Sequence, residues 1–447
     1  MAILGLIGTE QFASERWTNI RSSVFYNYPA GSAPLIGLLS MLPSEETNDP
    51  SFTIYEKRLY EQRTLTITQG TSKGPFLVAA GTDLGDPGTI TKDTEYQVCV
   101  ASSEKFRVSH VIKIKVDLNS AASSGEVKGI VTSIVDATHI KFRAINTTST
   151  IDNGTTNENV GKEVLVIGSA NAQFATMPSG QIWTLPTAIT NYTQIFRTPF
   201  SFSRTALKAG AKFDKSGPYK DKAKENSLNH MREMEFAFLF GDKTAYNTGG
   251  GTDAMPTFTT GGILYFLNLW EAGSTYGNSA ATADTDDNKR IIANVGGSIN
   301  EKSYDKYLER IFRYGNNVSS DRICFCGSGF LSVMNQLYKS KSCLDAGFPT
   351  SDSYGMSVVK HISPFGTIYY KSHPLFSIND ALRYNALFCD VQNLRFRPLL
   401  DSDTELLKNR QARDADGRTD EWLTEAGLEL RMPESFLYLQ NVQDYVP

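Results

Sequence analysis

Apolar positions along this 447-residue chain change period several times, and each change marks a different kind of element. Residues 1–50 hold no sustained period. Pro29, Pro34 and Pro43 interrupt the segment and limit any helix in it to about two turns; a short helix fits residues 11–26. The segment reads as an extended arm that needs another surface to lie on. Phe52 and Ile54 then alternate with Thr53 and Tyr55 ahead of the charged run Glu56-Lys57-Arg58, and Leu65-Thr66-Ile67-Thr68 alternates again. This is strand material with one polar side.

Between about 75 and 180, short β-rich runs recur among Gly, Asp and Asn clusters. They lie at 96–100, 111–116, 127–131, 139–142 and 163–167, a spacing that predicts a small barrel or sandwich inserted into the chain. Alternation returns at 191–205, where Phe200 and Phe202 face one way and Ser201 and Ser203 the other. A long helix is expected over 216–240, with Ser216 as cap, Pro218 in the first turn and Gly241 as the stop. Its apolar stripe is Leu228, Met231, Met234, Phe238 and Leu239.

Residues 271–289 are rich in Gly, Ser, Ala, Thr and Asp and read as a long exposed loop. A second helix carries Tyr304, Tyr307, Leu308, Ile311 and Phe312, with Ser303 ahead of it and Arg310 and Arg313 in its last turn. A strand at 322–326 and a third helix, capped by Ser328 and carrying Phe330, Val333, Met334 and Leu337, complete an α/β unit. Gly366 marks a hairpin turn. Leu428, Leu430 and Met432 alternate with Glu429 and Arg431, and 436–439 forms the final strand.

Composition narrows the function. The formal charge is −4, from 44 basic and 48 acidic residues. A face built to grip DNA would be basic, so this chain is expected at most to lie beside DNA without reading sequence. The five cysteines, Cys99, Cys324, Cys326, Cys343 and Cys389, are odd in number and sparse, which excludes a disulfide scaffold and predicts reduced, buried thiols. Cys324 and Cys326 would face the same side of their strand. The apolar start, residues 1–8, lacks a basic flank and is too short for a membrane span. The expected compartment is a cytosol, and the Asn-x-Ser/Thr sites at Asn146, Asn153, Asn191 and Asn317 are chance matches.

No Walker loop occurs, and Gly327-Ser328-Gly329 is a strand-to-helix turn rather than a nucleophile elbow. His110, His139, His230, His361 and His373 are scattered outside any metal-ligand spacing, so no metal or other cofactor is expected. Asp414, Asp416, Asp420, Glu421 and Glu425 form the strongest catalytic temptation, since two carboxylates can share acid and base roles. The plainer reading is a solvated turn around Gly417-Arg418.

Four stretches, in order along the chain, resemble the tailed-phage major capsid proteins that share the Hong Kong 97 fold. Asn191-Tyr192-Thr193-Gln194-Ile195-Phe196 is similar to the strand that enters the spine helix. Arg232–Gly241 resembles the end of that helix, Thr259–Leu264 the turn after it, and Asp420–Glu429 the entry to the C-terminal strands. The resemblance implies an α+β subunit divided into an N-terminal arm (1–50), extended-loop strands (51–74 and 181–210) carrying the β module (75–180), a peripheral domain (211–298), an axial domain (299–385) and returning C-terminal strands (386–447).

It also implies self-assembly into hexamers and pentamers of an icosahedral shell around double-stranded DNA, built in a host bacterial cytoplasm. Because the chain begins almost at the arm, a separate scaffolding protein is expected, together with a portal and a decoration protein. Contacts between subunits are expected from Phe52, Ile54, Glu56, Lys57, Arg58, Phe200, Phe202 and Arg204. The competing readings are a tail-tube or decoration protein, against which the long helix and α/β unit argue, and a polysaccharide-acting enzyme using carboxylates near Asp420–Glu425.

Overall fold

The computed structural model describes residues 33–57, 63–66, 75–82, 84, 88–117, 124–146, 149–151, 159, 161–174, 176, 185–208, 218–247, 255–273, 275–276, 288–293, 297–314, 321–341, 350–353 and 356–446. The chain forms two compact units, Glu56–Pro186 and the remainder, Met1–Tyr55 with Thr187–Pro447.

The Glu56–Pro186 unit is a β module. Its strands lie in the order Arg63–Leu65, Glu163–Ser169, His110–Asp117, Ser124–Ile134, His139–Ala144, Glu95–Cys99 and Phe76–Val78, each antiparallel to the next. An antiparallel bridge between Thr66 and Val100 joins the strand at one end of this order to the neighbourhood of the other, closing the sheet towards a barrel. All five anticipated strands are present, and strict alternation explains why they form. Ile112, Ile114 and Val116 are buried with Val98, Val127, Ile140, Phe142 and Val164, while Lys113 and Lys115 point outward and pair with Glu126 and Glu163. The compact unit extends beyond the expected 75–180 at both ends; on the N-terminal side Arg63–Leu65 supplies a strand paired with Glu163–Leu165.

In the other unit, a mixed sheet runs in the order Ile291–Ala293, Leu437–Gln440, Ala386–Cys389, Asp321–Cys326, Thr367–Ser372, Met356–Ile362 and Thr350–Ser353. Asp321–Cys326 lies at its centre, and the two faces of that strand serve two cores. Ile323 and Phe325 join one. Cys324 and Cys326 face the same side, as expected, and join the other, beneath helices Glu301–Arg313 and Ser328–Lys341. Cys99, Cys324, Cys326 and Cys389 are free and buried; Cys343 lies outside the described residues, as do Asn153 and Asn317. The second helix is capped by Asn300, with Ser303 as the reciprocal partner three residues inside the helix. Ser363 and Gly366 exchange backbone hydrogen bonds at the expected hairpin turn. Leu437–Gln440 is not the last strand: Asp444–Tyr445 follows and pairs with Ser298–Ile299.

A second sheet centres on Gly417–Leu430, flanked by Gln194–Ser203 on one side and by Leu394–Pro398 and Glu405–Leu407 on the other. The long helix Pro218–Phe240 packs on it. Its anticipated stripe holds only near the end: Met234, Phe238 and Leu239 are buried, whereas Met231 is 39% exposed. The buried face instead includes Asn226, His230 and Glu235, polar residues that an apolar period cannot reveal. Ser216, the anticipated cap, lies outside the described residues, as does the possible 11–26 helix.

The 1–50 segment also differs from a plain extended arm. Pro34–Met41 is a helix whose Leu35, Leu38 and Leu39 are buried in the same core as Phe238 and Leu428. Each such leucine contributes about 1.5–3 kcal/mol. The chain beyond the helix is held by Glu45 and Thr47 amides donating to the Phe396 and Pro398 carbonyls.

Candidate functional site

Three of the four stretches that carry the resemblance meet at one buried side chain. The Asn191 amide nitrogen donates to the Thr260 hydroxyl (3.2 Å), the Gly261 carbonyl (3.0 Å) and the Leu428 carbonyl (2.7 Å), and its oxygen accepts from the Gly261 amide (2.7 Å). The fourth stretch arrives through Gly241, whose carbonyl accepts from the Gly262 amide at 2.7 Å. A Cβ at Gly262 would stand 2.7 Å from the Ala237 carbonyl oxygen, so the helix end and the following turn touch through glycine alone. Asn191 is fully buried, and satisfying all its groups fixes one register for strand, turn and helix end. It lies inside the first quoted stretch, but nothing in its local pattern distinguished it.

The acidic cluster resolves into two environments. Asp414 and Asp416 lie in an exposed turn, as the plainer reading had it. Asp420, Glu421 and Glu425 do not: they belong to the strand Gly417–Leu430, and Asp420 is fully buried. Asp420 accepts from Arg418 at 2.9 Å, from the Asn409 amide at 2.8 Å and from the Tyr219 hydroxyl. Burial pushes its carboxyl up, but the hydrogen bonds from Arg418, Tyr219 and the Asn409 amide together outweigh burial and hold it below the usual carboxylate range. Glu421, on the opposite face of the strand, accepts from Arg197 at 2.6 Å and from Arg410 at 3.2 Å. The Arg197 hydrogen bond is the leading cause of its lowered pKa, against burial, with Arg410 adding to it.

Glu429 is bound by Arg397 at 2.5 Å and by Arg431. Glu425 accepts from the Thr193 hydroxyl. These hydrogen bonds and ion pairs tie the strand Gly417–Leu430 to its neighbours. Among the described residues, no three His, Cys, Asp or Glu side chains converge as a metal site, and no helix is long and apolar enough to cross a membrane.

The residues expected to touch other subunits fall into two sets. Phe52, Ile54 and Phe200 are buried at 5%, 8% and 5% exposure. The Phe52 ring lies where a Cβ on Gly427 would meet it at 2.6 Å, and the Arg397 guanidinium sits 5.6 Å from its centre. Phe200 packs against Tyr219. These three are committed within the chain, because the alternation that exposes one strand face buries the other. Phe202 and Glu56 are half-buried, and Lys57 is exposed. Arg204 is exposed and pairs with Asp416 at 3.1 Å; Arg58 lies outside the described residues. Tyr55 and Ile195, at 71% and 57% exposure, are apolar surface that the sequence reading passed over.

A family model described as SU10 major capsid protein matches residues 23–443. The chain belongs to that family. It is a structural component of the virion, a major capsid protein of a tailed phage whose copies form an icosahedral shell, and its described residues are α+β. No curated protein matches the chain. Similar solved structures are distant. A chain from Microbacterium phage Oxtober96 is 8% identical with a TM-score of 0.41, over 98% of this chain and 99% of its own. The cyanophage A-1(L) capsid is 9% identical at TM-score 0.41, over 62% of this chain and 85% of its own. The SrpI encapsulin of Synechococcus elongatus is 8% identical at TM-score 0.39, over 59% and 80%.

Within this capsid subunit, the polar residues that organise the interior are Asn191, Asp420, Glu429 and Glu235. Glu235 carried one legible signal: a lone acid inside the run Met234-Glu235-Phe236-Ala237-Phe238 must find buried donors if that run is core.

Proposed function

We propose that this capsid subunit assembles as hexamers and pentamers, with residues 1–50 as an arm, the strands at 51–74 and 181–210 as an extended loop carrying the β module, 211–298 as a peripheral domain, 299–385 as an axial domain and 386–447 as returning strands. The family match over residues 23–443 carries the reading. Genomic double-stranded DNA is contacted without sequence selection, in keeping with the near balance of 44 basic and 48 acidic residues. A scaffolding protein, a portal and a decoration protein are the further partners proposed. The subunit performs no catalysis, a reading supported by the clamping of Asp420 and Glu421 as anions.

Contacts between subunits are assigned to the polar positions at the loop root, Glu56, Lys57 and Arg58, together with Phe202 and Arg204. Exposed ion pairs contribute only about 0–1 kcal/mol each, but the same pair repeated over a shell biases assembly and fixes register. The test is Glu56→Lys combined with Arg58→Glu, scored by electron microscopy with and without scaffold. Subunits that melt normally but form few shells are expected. Complete shells at normal yield would sink the assignment, and subunits that no longer fold would place these residues in the core instead.

A further inference from the structure

The helix Pro34–Met41 lacks a local cap. Ala33 offers no side-chain hydrogen bond, and the first turn holds no acidic residue. Its open amides are met by Glu235, 200 positions away: Oε1 accepts from the Leu35 amide at 2.9 Å and Oε2 from the Ile36 amide at 2.8 Å. A third donor, His373 Nε2, reaches Oε1 at 2.7 Å. Both side chains are fully buried.

His373 is held by its backbone and by its ring. Its backbone amide donates to the Cys326 carbonyl at 2.8 Å, and its ring packs on Phe376 with centroids 4.7 Å apart and edge-on to Phe325. Among the described residues, its Nδ1 is buried without a hydrogen-bond partner. The Glu235 carboxyl faces both the imidazole and the open end of the helix. Its complement is the positive end of the short helix, through two amides and the aligned peptide dipoles.

We propose that Glu235 and His373 form a seat for the N-terminus of the Pro34–Met41 helix, and that this helix is a releasable strap rather than part of the indivisible core. Glu235 is its positioning residue. Only one face of the strap is committed: Pro34, Leu35, Leu38 and Leu39 are buried, while Gly37, Ser40 and Met41 are exposed. Without the carboxylate, two amides and an imidazole N–H would be left facing one another, and the strap would lift. The inference concerns a single subunit and does not depend on how shells assemble.

Hydrogen exchange followed by mass spectrometry on the full chain tests it, comparing the native protein with Glu235→Gln and Glu235→Ala. Losing charge-assisted hydrogen bonds is expected to speed exchange across residues 35–41 by about tenfold to a hundredfold in Glu235→Ala. Glu235→Gln keeps the shape and one acceptor and should fall between. The strands Asp321–Cys326 and Gly417–Leu430 should keep their native protection in both. Unchanged exchange at 35–41 in Glu235→Ala overturns the seat. Acceleration spread equally through those strands, or failure of both variants to fold, overturns the strap, because the helix would then be inseparable from the core.

Discussion

The two units of this subunit are stabilised by different means. In Glu56–Pro186 the interior is apolar side chains on strands mostly near one another in sequence, and the ion pairs sit on its surface, as with Lys113–Glu126 and Lys162–Asp117. In the other unit the longest ladder joins residues 194–203 to 417–426, across more than 200 positions, and charged groups such as Glu235, Asp420, Glu429, Arg290 and Arg322 are buried. Buried area is indifferent to partner, so the module's strands need only their alternation. A buried carboxylate tolerates only the arrangement that supplies its donors. Charge inside the larger unit thus serves uniqueness of register more than net stability, which apolar burial supplies in both.

The comparison breaks if core damage to the module spreads. Phe142 is fully buried, with Gly129 against its ring, so Phe142→Ala is expected to destabilise Glu56–Pro186 by about 3–5 kcal/mol. Calorimetry should show one transition moving down while the other holds; two transitions moving together would make the units a single cooperative body.

A smaller effect is expected from the ionic sheet. Asp420→Ala removes the partner of Arg418, which is one-third exposed and can rehydrate, so the loss should be about 2–3 kcal/mol, confined to the larger unit. The same group sets a pH dependence. Asp420 and Glu421 have folded pKa values below their unfolded ones, so their stabilisation is full above the unfolded carboxylate range, about pH 4. It fades as pH falls through the depressed values. Asp136 in the module is also depressed, to about 2, led by the Thr138 amide and then by His139, but it is exposed and screened. Acidification below about pH 4 should therefore lower the melting of the larger unit more than that of the module. Asp420→Ala should flatten that difference; an unchanged profile would deny the carboxylate its assigned role.

The smallest effect belongs to Arg204. Its pair with Asp416 is two-thirds exposed on both sides, so Arg204→Ala should change subunit stability by less than about 1 kcal/mol. A larger drop in melting temperature would mean that the pair supports the fold itself.

Legibility followed the same division. The module's longer strands were readable because each is half-buried and alternates, whereas three-residue strands such as Arg63–Leu65 and Phe76–Val78 are too short to show a period. The helix Ser328–Lys341 was readable because Phe330, Val333, Met334 and Leu337 lie on one apolar face. The helix Pro34–Met41 was hidden behind its own proline, since its cap comes from Glu235, 200 residues away. Asp420 passed for part of a solvated turn because its charged neighbours Arg418 and Glu421 look alike in water and in a buried sheet. For Phe52, Ile54 and Phe200 the period tells that one strand face is apolar without telling which surface covers it.

The chain departs for the module along Ser51–Glu56 and comes back along Thr187–Tyr192, and these two strands are paired neighbours. The ends to be joined are therefore already side by side. Closing them with a short loop costs little chain entropy, and the cost rises only slowly with loop length. The 131 positions from Glu56 to Pro186 thus behave as a cassette. They can be shortened, lengthened or exchanged for a foreign domain with closely spaced termini, while the Asn191 junction and the ionic sheet keep the sequence that specifies them.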